Sequence, residues 1–187
     1  MMKMKRKWMT IMTAAALAAG VVCGCANPEK SGVEALKNGE YQEAEAQFQE
    51  MTQSGSGEDA AEGYRGLGMT YYEMEDYAGA LEAFRQAVDN GVQQSVQLYN
   101  LMGVCAMQTE EYEAALEYIQ SGLALAESAD GEEQPSEELI REIKYNEIIC
   151  YEKQSDWENA RQKAEEYLSE YPDDESVQRE AEFLETR

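Results

Sequence analysis

The sequence contains no histidine, so it lacks the side chain that most often serves as a general base or a metal ligand. It also lacks a phosphate-binding glycine loop, a nucleophile elbow and a dinucleotide-binding fingerprint. The acidic run Asp130-Gly131-Glu132-Glu133 does not have the alternating oxygen ligands of a calcium loop. We therefore predict that the chain is not an enzyme and that it carries no metal and no cofactor in a catalytic site.

Positive charge is scarce. Lys and Arg together number 15 against 38 Asp and Glu, and the formal net charge is −23. A nucleic acid, which is itself a dense polyanion, would be repelled by this surface, so DNA and RNA are excluded as partners. The acidity indicates either a well-solvated exterior or a surface that attracts a basic protein or loosely held cations.

Cysteine is also infrequent, and the four residues show neither a CxxC pair nor the spacing of a zinc site. Cys105 and Cys150 occupy the same position in two repeats of the pattern described below. Free cysteine is among the most buried residue types, so we expect both as small buried thiols. A disulfide between them is the alternative that the sequence leaves open.

Long apolar runs are absent except at the N-terminus, where Trp8 to Val22 is predominantly apolar. This run is shorter than the roughly 20 residues that a membrane-spanning helix needs. Four basic residues precede it, namely Lys3, Lys5, Arg6 and Lys7. The arrangement predicts a secretory signal peptide over residues 1–24, with a short uncleaved transmembrane anchor as the alternative.

The end of this segment, Val22-Cys23-Gly24-Cys25, resembles the lipobox of bacterial lipoproteins. The resemblance implies that Cys25 receives a diacylglyceryl group and becomes the first residue of the mature chain. Cys23 fits less well, because Val22 stands where a small residue belongs. The chain would then be lipid-anchored at the extracytoplasmic face of the cell membrane, with 25–28 as the anchor and a short tether. Ala26 would not retain it at an inner membrane, so the outer membrane is possible in an organism with two membranes.

The most informative feature of the remaining chain is an aromatic residue followed three positions later by Ala. The pattern occurs four times, with successive aromatics 36, 35 and 45 residues apart. The pairs are Tyr41/Ala44, Tyr77/Ala80, Tyr112/Ala115 and Trp157/Ala160. Nine residues before each aromatic stand Gly32, Gly68, Gly103 and Ile148, and seven residues after stand Phe48, Phe84, Ile119 and Ala164. A recurrence at this period indicates stacked helical hairpins.

This pattern resembles the tetratricopeptide repeat (TPR), a helix–turn–helix unit of about 34 residues. The resemblance implies an all-α, right-handed solenoid of about four hairpins, over residues 29–58, 61–94, 96–129 and 141–174. Ile148 and Lys144 depart from the pattern in unit four. An acidic insert over 128–138 separates units three and four, and Ser136 followed by Glu137 and Glu138 predicts the start of a longer helix there. The stripe Val177, Ala181 and Leu184 predicts a capping helix over 176–187.

In this family the first helices of successive units line a concave groove that takes an extended peptide or helix. Carried over by position, the groove residues are Arg65, Met69, Tyr72, Asn100, Val104, Met107, Tyr145, Ile149 and Glu152. For Tyr72 and Val104 the alternative to the groove is a position in the buried core. The expected function is therefore a lipid-anchored scaffold that binds a protein or peptide. The alternative is an envelope-assembly factor, similar to repeat lipoproteins that help secretins, pili or outer-membrane proteins assemble.

Overall fold

The computed structural model describes residues 27–131 and 134–187, and these ranges form nine α-helices and no β-strand. Each helix packs against the next along the chain, and α1 with α3 and α5 with α7 also meet. The all-α solenoid of four helical hairpins with a capping helix is thereby confirmed. The helices are α1 (Pro28–Lys37), α2 (Tyr41–Ser54), α3 (Glu58–Glu73), α4 (Tyr77–Asp89), α5 (Val96–Gln108), α6 (Tyr112–Ser128), α7 (Glu137–Lys153), α8 (Trp157–Glu170) and α9 (Glu175–Leu184).

Three features predicted from the sequence lie outside the described residues. They are the signal peptide over 1–24, the lipidation residue Cys25, and Glu132 with Glu133 in the insert. Within the described ranges, no helix is both long enough and apolar enough to cross a membrane.

The turn inside each hairpin has the same backbone conformation. Gly39, Glu75, Glu110 and Ser155 each stand two residues before the first residue of the second helix and have φ values of 75°, 60°, 63° and 61°. This left-handed region costs a residue that has a Cβ about 1 kcal/mol. Unit one alone among the four turns has glycine at this position, so the other three turns carry a small strain.

Glycine on the first helix of a hairpin lets a large side chain on the second helix come close. A Cβ placed on Gly32 would lie 2.8 Å from the ring of Phe48, and one placed on Gly68 would overlap the ring of Phe84. Both rings are buried, at 2% and 0% exposure. Gly32 and Gly68 are therefore required by packing between the paired helices.

In unit four the large and the small side chain have exchanged places between the two helices of the hairpin. Ile148 on α7 and Ala164 on α8 are both 0% exposed and belong to one buried cluster. The large residue has moved to the first helix and the small one to the second, so the departure at Ile148 is compensated. Lys144 also departs from the pattern, and its Nζ lies 2.6 Å from Glu170 and over the ring of Tyr171.

The acidic insert leaves residues 129–136 between the helices, and α7 begins where Ser136, Glu137 and Glu138 predict the start of a longer helix. Helix α6 continues to Ser128, and α7 begins at Glu137, four residues before the predicted start of unit four. Ser136 caps α7, because its Oγ accepts a hydrogen bond of 3.2 Å from the backbone N–H of Leu139. The additional turn lengthens the surface that α7 presents to α5.

Helix α9 covers the end of the solenoid. Val177 and Leu184 are 0% exposed and pack with Ile148 in the same buried cluster, while Ala181 lies at its edge. Without this helix, the apolar face of unit four would be open to water.

Asp174 fastens α9 to the preceding unit. Its carboxylate caps α9, accepting hydrogen bonds from Ser176, and it also accepts one of 2.8 Å from the Tyr167 hydroxyl. Arg141 on α7 donates to the same carboxylate at 2.9 Å. The bonds from Ser176, Tyr167 and Arg141 hold the pKa of Asp174 well below its usual range.

Cys105 and Cys150 are free thiols, each 0% exposed, and they do not form a disulfide. Burial raises the pKa of both to about 12. Both residues therefore behave as small apolar core residues, and the alternative of a disulfide is wrong for this structure.

Candidate functional site

The candidate binding surface is a stripe on the first helices of units two, three and four, which we call the groove. Its residues recur every three or four positions along each helix and so lie on one face. Arg65 is exposed, Asn100 is buried, and the other seven are half-buried. The groove comprises Arg65, Met69 and Tyr72 on α3, Asn100, Val104 and Met107 on α5, and Tyr145, Ile149 and Glu152 on α7.

At its N-terminal end, the groove opens into a cavity of about 450 Å³ between α1 and α3. Arg65 stands on its rim, with Nε 2.6 Å from a carboxylate oxygen of Glu62. Apolar walls with a rim of both charge signs would suit a mixed peptide side chain. The walls include Val33, Leu36, Phe48 and Met69, and the rim includes Glu29, Lys37, Glu62, Arg65 and Glu73.

Asn100 is the most deeply buried residue of the groove, with only 3% of its surface exposed. Its Nδ2 donates a hydrogen bond of 3.0 Å to Glu142 on α7, and its Oδ1 has no hydrogen-bond partner. This hydrogen bond places the Asn100 amide between α5 and α7. A buried acceptor left without a donor costs about 1–3 kcal/mol.

Tyr72 stands beside this pair. Its ring packs edge-on against that of Tyr77, with 5.8 Å between the centroids. Burial raises the pKa of the Tyr72 hydroxyl, and the neighbouring Cys105 and Glu142 add to the shift. Tyr72 also packs against the buried core, so it has both the core role and the groove role that the sequence allowed.

The C-terminal part of the groove is acidic. Glu152 on α7 faces Glu180 on α9, and burial together with that second carboxyl raises the pKa of Glu152 to about 7. The Oε1 of Glu152 is buried and has no hydrogen-bond partner. Burial raises the pKa of the Tyr145 hydroxyl, and the charges of Glu180, Glu152 and Asp174 add to the shift.

The sequence did not identify Glu142 and Glu180 as groove residues. Glu142 could have been found, because it lies three residues before Tyr145 and so shares its stripe. Glu180 could not, because its place beside Glu152 depends on how α9 folds back over α7. These two residues make the groove more acidic than its predicted members alone.

No group of three or more Cys, Asp and Glu side chains within the described residues is arranged to hold a metal ion. A second cavity, of about 440 Å³, lies between α6, α7 and α8. There Glu147, only 4% exposed, lies 3.5 Å from the Nζ of Lys163, and burial raises the pKa of Glu147. This cavity contains no predicted groove residue.

Comparison of the sequence with known families gives a match over most of the described chain. The tetratricopeptide-repeat family matches residues 30–91 and 65–131. A second tetratricopeptide-repeat pattern matches residues 145–174, which span α7 and α8. No curated protein matches the sequence.

Solved structures with the same fold include YrrB, described as a TPR protein with an unusual peptide-binding site. It is 19% identical with a TM-score of 0.69, and the match covers 84% of this chain and 74% of YrrB. MamA is 17% identical with a TM-score of 0.68 over 84% of this chain and 78% of MamA. MamA from Desulfovibrio magneticus RS-1 is 14% identical with a TM-score of 0.68 over 88% and 87% of the two chains. At these identities the likeness concerns the fold alone.

Proposed function

Since this chain belongs to the tetratricopeptide-repeat family, we propose that it is a lipid-anchored, extracytoplasmic scaffold that binds a protein or peptide in its groove. The observation that carries the proposal is the groove itself. Its half-buried apolar and aromatic side chains alternate with polar groups along α3, α5 and α7, the first helices of three successive units. A surface of this composition suits an extended peptide or an amphipathic helix.

The anchor is supported by Val22-Cys23-Gly24-Cys25 behind a basic and then apolar segment. Helix α1 begins at Pro28, so only Ala26 and Asn27 separate Cys25 from the solenoid. This stretch spans at most about 10 Å even when fully extended. We therefore expect the N-terminal end of the solenoid close to the membrane surface, with the groove extending away from it.

Replacement of the proposed lipidation residue tests the anchor. Cys25→Ala should abolish incorporation of radiolabelled fatty acid, leave the precursor uncleaved by lipoprotein signal peptidase, and alter its fractionation with membranes. Cys23→Ala is the matched control and should be labelled and processed normally. Normal labelling and processing of Cys25→Ala would refute the anchor.

Site-specific photocrosslinking tests the groove. A photoreactive phenylalanine analogue placed at Tyr72 or at Ile149 in the native organism should give the same crosslinked product. The same analogue at Glu113, on the exposed side of α6, is the control and should not give it. Equal yields of one product from Glu113 and from the groove positions would contradict binding in the groove.

A further inference from the structure

The carboxylates of the groove are not neutralised by neighbouring cations. Glu142, Glu152 and Glu180 form no ion pair within the part of the chain that the structure describes. Helix α5, which packs beside α7, contains no Lys, Arg, Asp or Glu. Three of the five Lys and Arg residues of unit four are instead held by other carboxylates, in the ion pairs Arg141–Asp174 at 2.9 Å, Lys144–Glu170 at 2.6 Å and Lys163–Glu166 at 3.1 Å.

Two buried acceptors in the same surface also lack donors. They are Oδ1 of Asn100 and Oε1 of Glu152, and no other buried side-chain N or O of the described residues lacks a hydrogen-bond partner. Asn100 is 97% buried, and its amide lies against Glu142 between α5 and α7. Oδ1 of Asn100 only accepts hydrogen bonds, and Oε1 of Glu152 accepts them when that carboxyl is ionised. A ligand that completes the site must therefore bring N–H donors.

These groups fall into two similar sets. The first set is Tyr72, Asn100 and Glu142, and the second is Tyr145, Glu152 and Glu180. Each has an aromatic ring, at least one carboxylate without an ion pair, and an orphaned acceptor. This combination suits an ammonium or guanidinium group, which can contact a ring face while it donates to oxygen.

We propose that the groove of units three and four binds an extended, positively charged segment of a partner protein, with one Lys or Arg in each of these two sets. The proposal rests on the proposed function and specifies the partner's chemistry. The first set bridges α5 and α7 and the second bridges α7 and α9, so the two sets lie about one interhelical spacing, roughly 10 Å, apart. Three residues of a polyproline-II-like chain rise about 9 Å and return a side chain to the same face. The basic residues should therefore stand three positions apart.

Glu152 gives the binding a distinctive proton signature. Glu180 faces it, Lys153 lies next to it in α7, Tyr145 stands two turns before it on the same helix, and α5 adds no charge on the other side. A carboxyl whose pKa is about 7 is half protonated at pH 7. A cation that enters between Glu152 and Glu180 favours the ionised form, so binding should release a fraction of a proton near pH 7.

The test uses the full chain in detergent and a fluorescein-labelled peptide of Gly, Ser and Pro that bears two arginines three positions apart. We expect this peptide to bind at least 10-fold more tightly than the same peptide with glutamine at both positions. The variant Glu142→Gln/Glu152→Gln should weaken binding of the arginine peptide at least 10-fold. The matched control Glu117→Gln/Glu165→Gln, which removes two exposed charges from α6 and α8, should change it less than 3-fold.

Calorimetry at pH 7 in two buffers of different ionisation enthalpy provides the second readout. For the wild-type chain, the binding enthalpies measured in the two buffers should differ, because the buffer takes up the released protons. For Glu152→Gln the two binding enthalpies should agree. Circular dichroism verifies that each variant is folded. An equal loss of affinity in the control variant would overturn the proposal, because the attraction would then come from overall charge.

Two other results would overturn the proposal while leaving the proposed function intact. One is equal binding of the arginine and glutamine peptides, which would show a groove without charge preference. The other is a crosslinked partner segment, captured from both Tyr72 and Ile149, that contains no basic residue. If spermidine competes with the arginine peptide and binds with equal affinity, the ligand of the groove would be a polyamine and not a protein segment.

Discussion

The ring of Phe84 occupies the space into which a side chain on Gly68 would project. Gly68 lies on α3 and Phe84 on α4, and both are fully buried between the two helices. The ring also belongs to the cluster that runs through units two and three. This one contact therefore couples the hairpin of unit two to the core of the solenoid.

Gly68→Ala should lower the free energy of unfolding by about 1–3 kcal/mol, because the added methyl group forces the ring or the helix to move. Alanine stabilises a helix by about 1 kcal/mol relative to glycine, and this gain partly offsets the cost of overpacking in the measured unfolding free energy. Urea denaturation followed by circular dichroism measures the change.

Gly103→Ala is the matched control at the equivalent position of unit three. A Cβ there would lie 3.3 Å from Cγ1 of Ile119, so a small shift of a flexible side chain accommodates it. We expect a change of less than about 1 kcal/mol. Equal stability of the two variants would show that close packing against Phe84 does not explain the glycine.

The helices and their pairing follow from local sequence patterns. The aromatic-x-x-Ala spacing and the glycine nine residues before it record contacts within one hairpin, so they are visible without the rest of the fold. Asn100 shows the limit, because its register indicated the groove face but not that Glu142 on α7 would accept a hydrogen bond from its amide and cover it. The approach of Glu180 to Glu152 joins α9 to α7, with the whole of α8 between them in the sequence, and no periodicity encodes such a contact.

The inverted sizes at Ile148 and Ala164 predict a compensating pair in unit four. Ala164→Ile alone should overpack the buried cluster and cost about 1–3 kcal/mol, and Ile148→Ala alone should leave a cavity and cost about 2–5 kcal/mol. The double variant should be more stable than the sum of the two losses predicts, with a coupling of at least about 1 kcal/mol. Chemical denaturation of all four proteins gives this coupling.

Ile143→Ala combined with Ala164→Ile is the control cycle. Ile143 is also 0% exposed but belongs to a different buried cluster, so the two losses should add. If the two cycles give the same coupling, Ile148 and Ala164 do not compensate one another.

The strained turn of unit three predicts a stabilising substitution. Glu110 is exposed and has φ 63°, a conformation that glycine adopts without cost. Glu110→Gly should raise the free energy of unfolding by about 0.5–1 kcal/mol and Tm by about 2–4 °C, as measured in a thermal melt. Gly39→Ala, in the same position of unit one, should have the opposite effect.

Glu110→Gln separates strain from charge, because it removes the same negative charge but keeps the Cβ. The Gln variant should therefore show little of the increase in unfolding free energy that is expected for Glu110→Gly. A Gln variant as stable as the Gly variant would attribute the effect to repulsion among the acidic residues of the chain.

The raised pKa of Glu152 predicts a stability difference that depends on pH. The folded pKa is about 7, and the unfolded value is about 4.3. Between these values the folded chain holds a proton that the unfolded chain has released, so ionising Glu152 at higher pH destabilises the fold. The penalty is absent below about pH 4, grows as pH rises, and is complete above about pH 7.

Glu152→Gln cannot ionise, so it should melt a few degrees above the wild-type chain at pH 8.5 and close to it at pH 5. Thermal melts at intervals between these values, each at constant ionic strength, trace the difference. Glu165→Gln, on the exposed side of α8, is the control for the loss of one charge and should show no step of this size near pH 7. A Glu152→Gln difference that stays constant from pH 5 to pH 8.5 would mean that Glu180 and burial do not hold a proton on Glu152, and the proton release expected on cation binding would then lose its source.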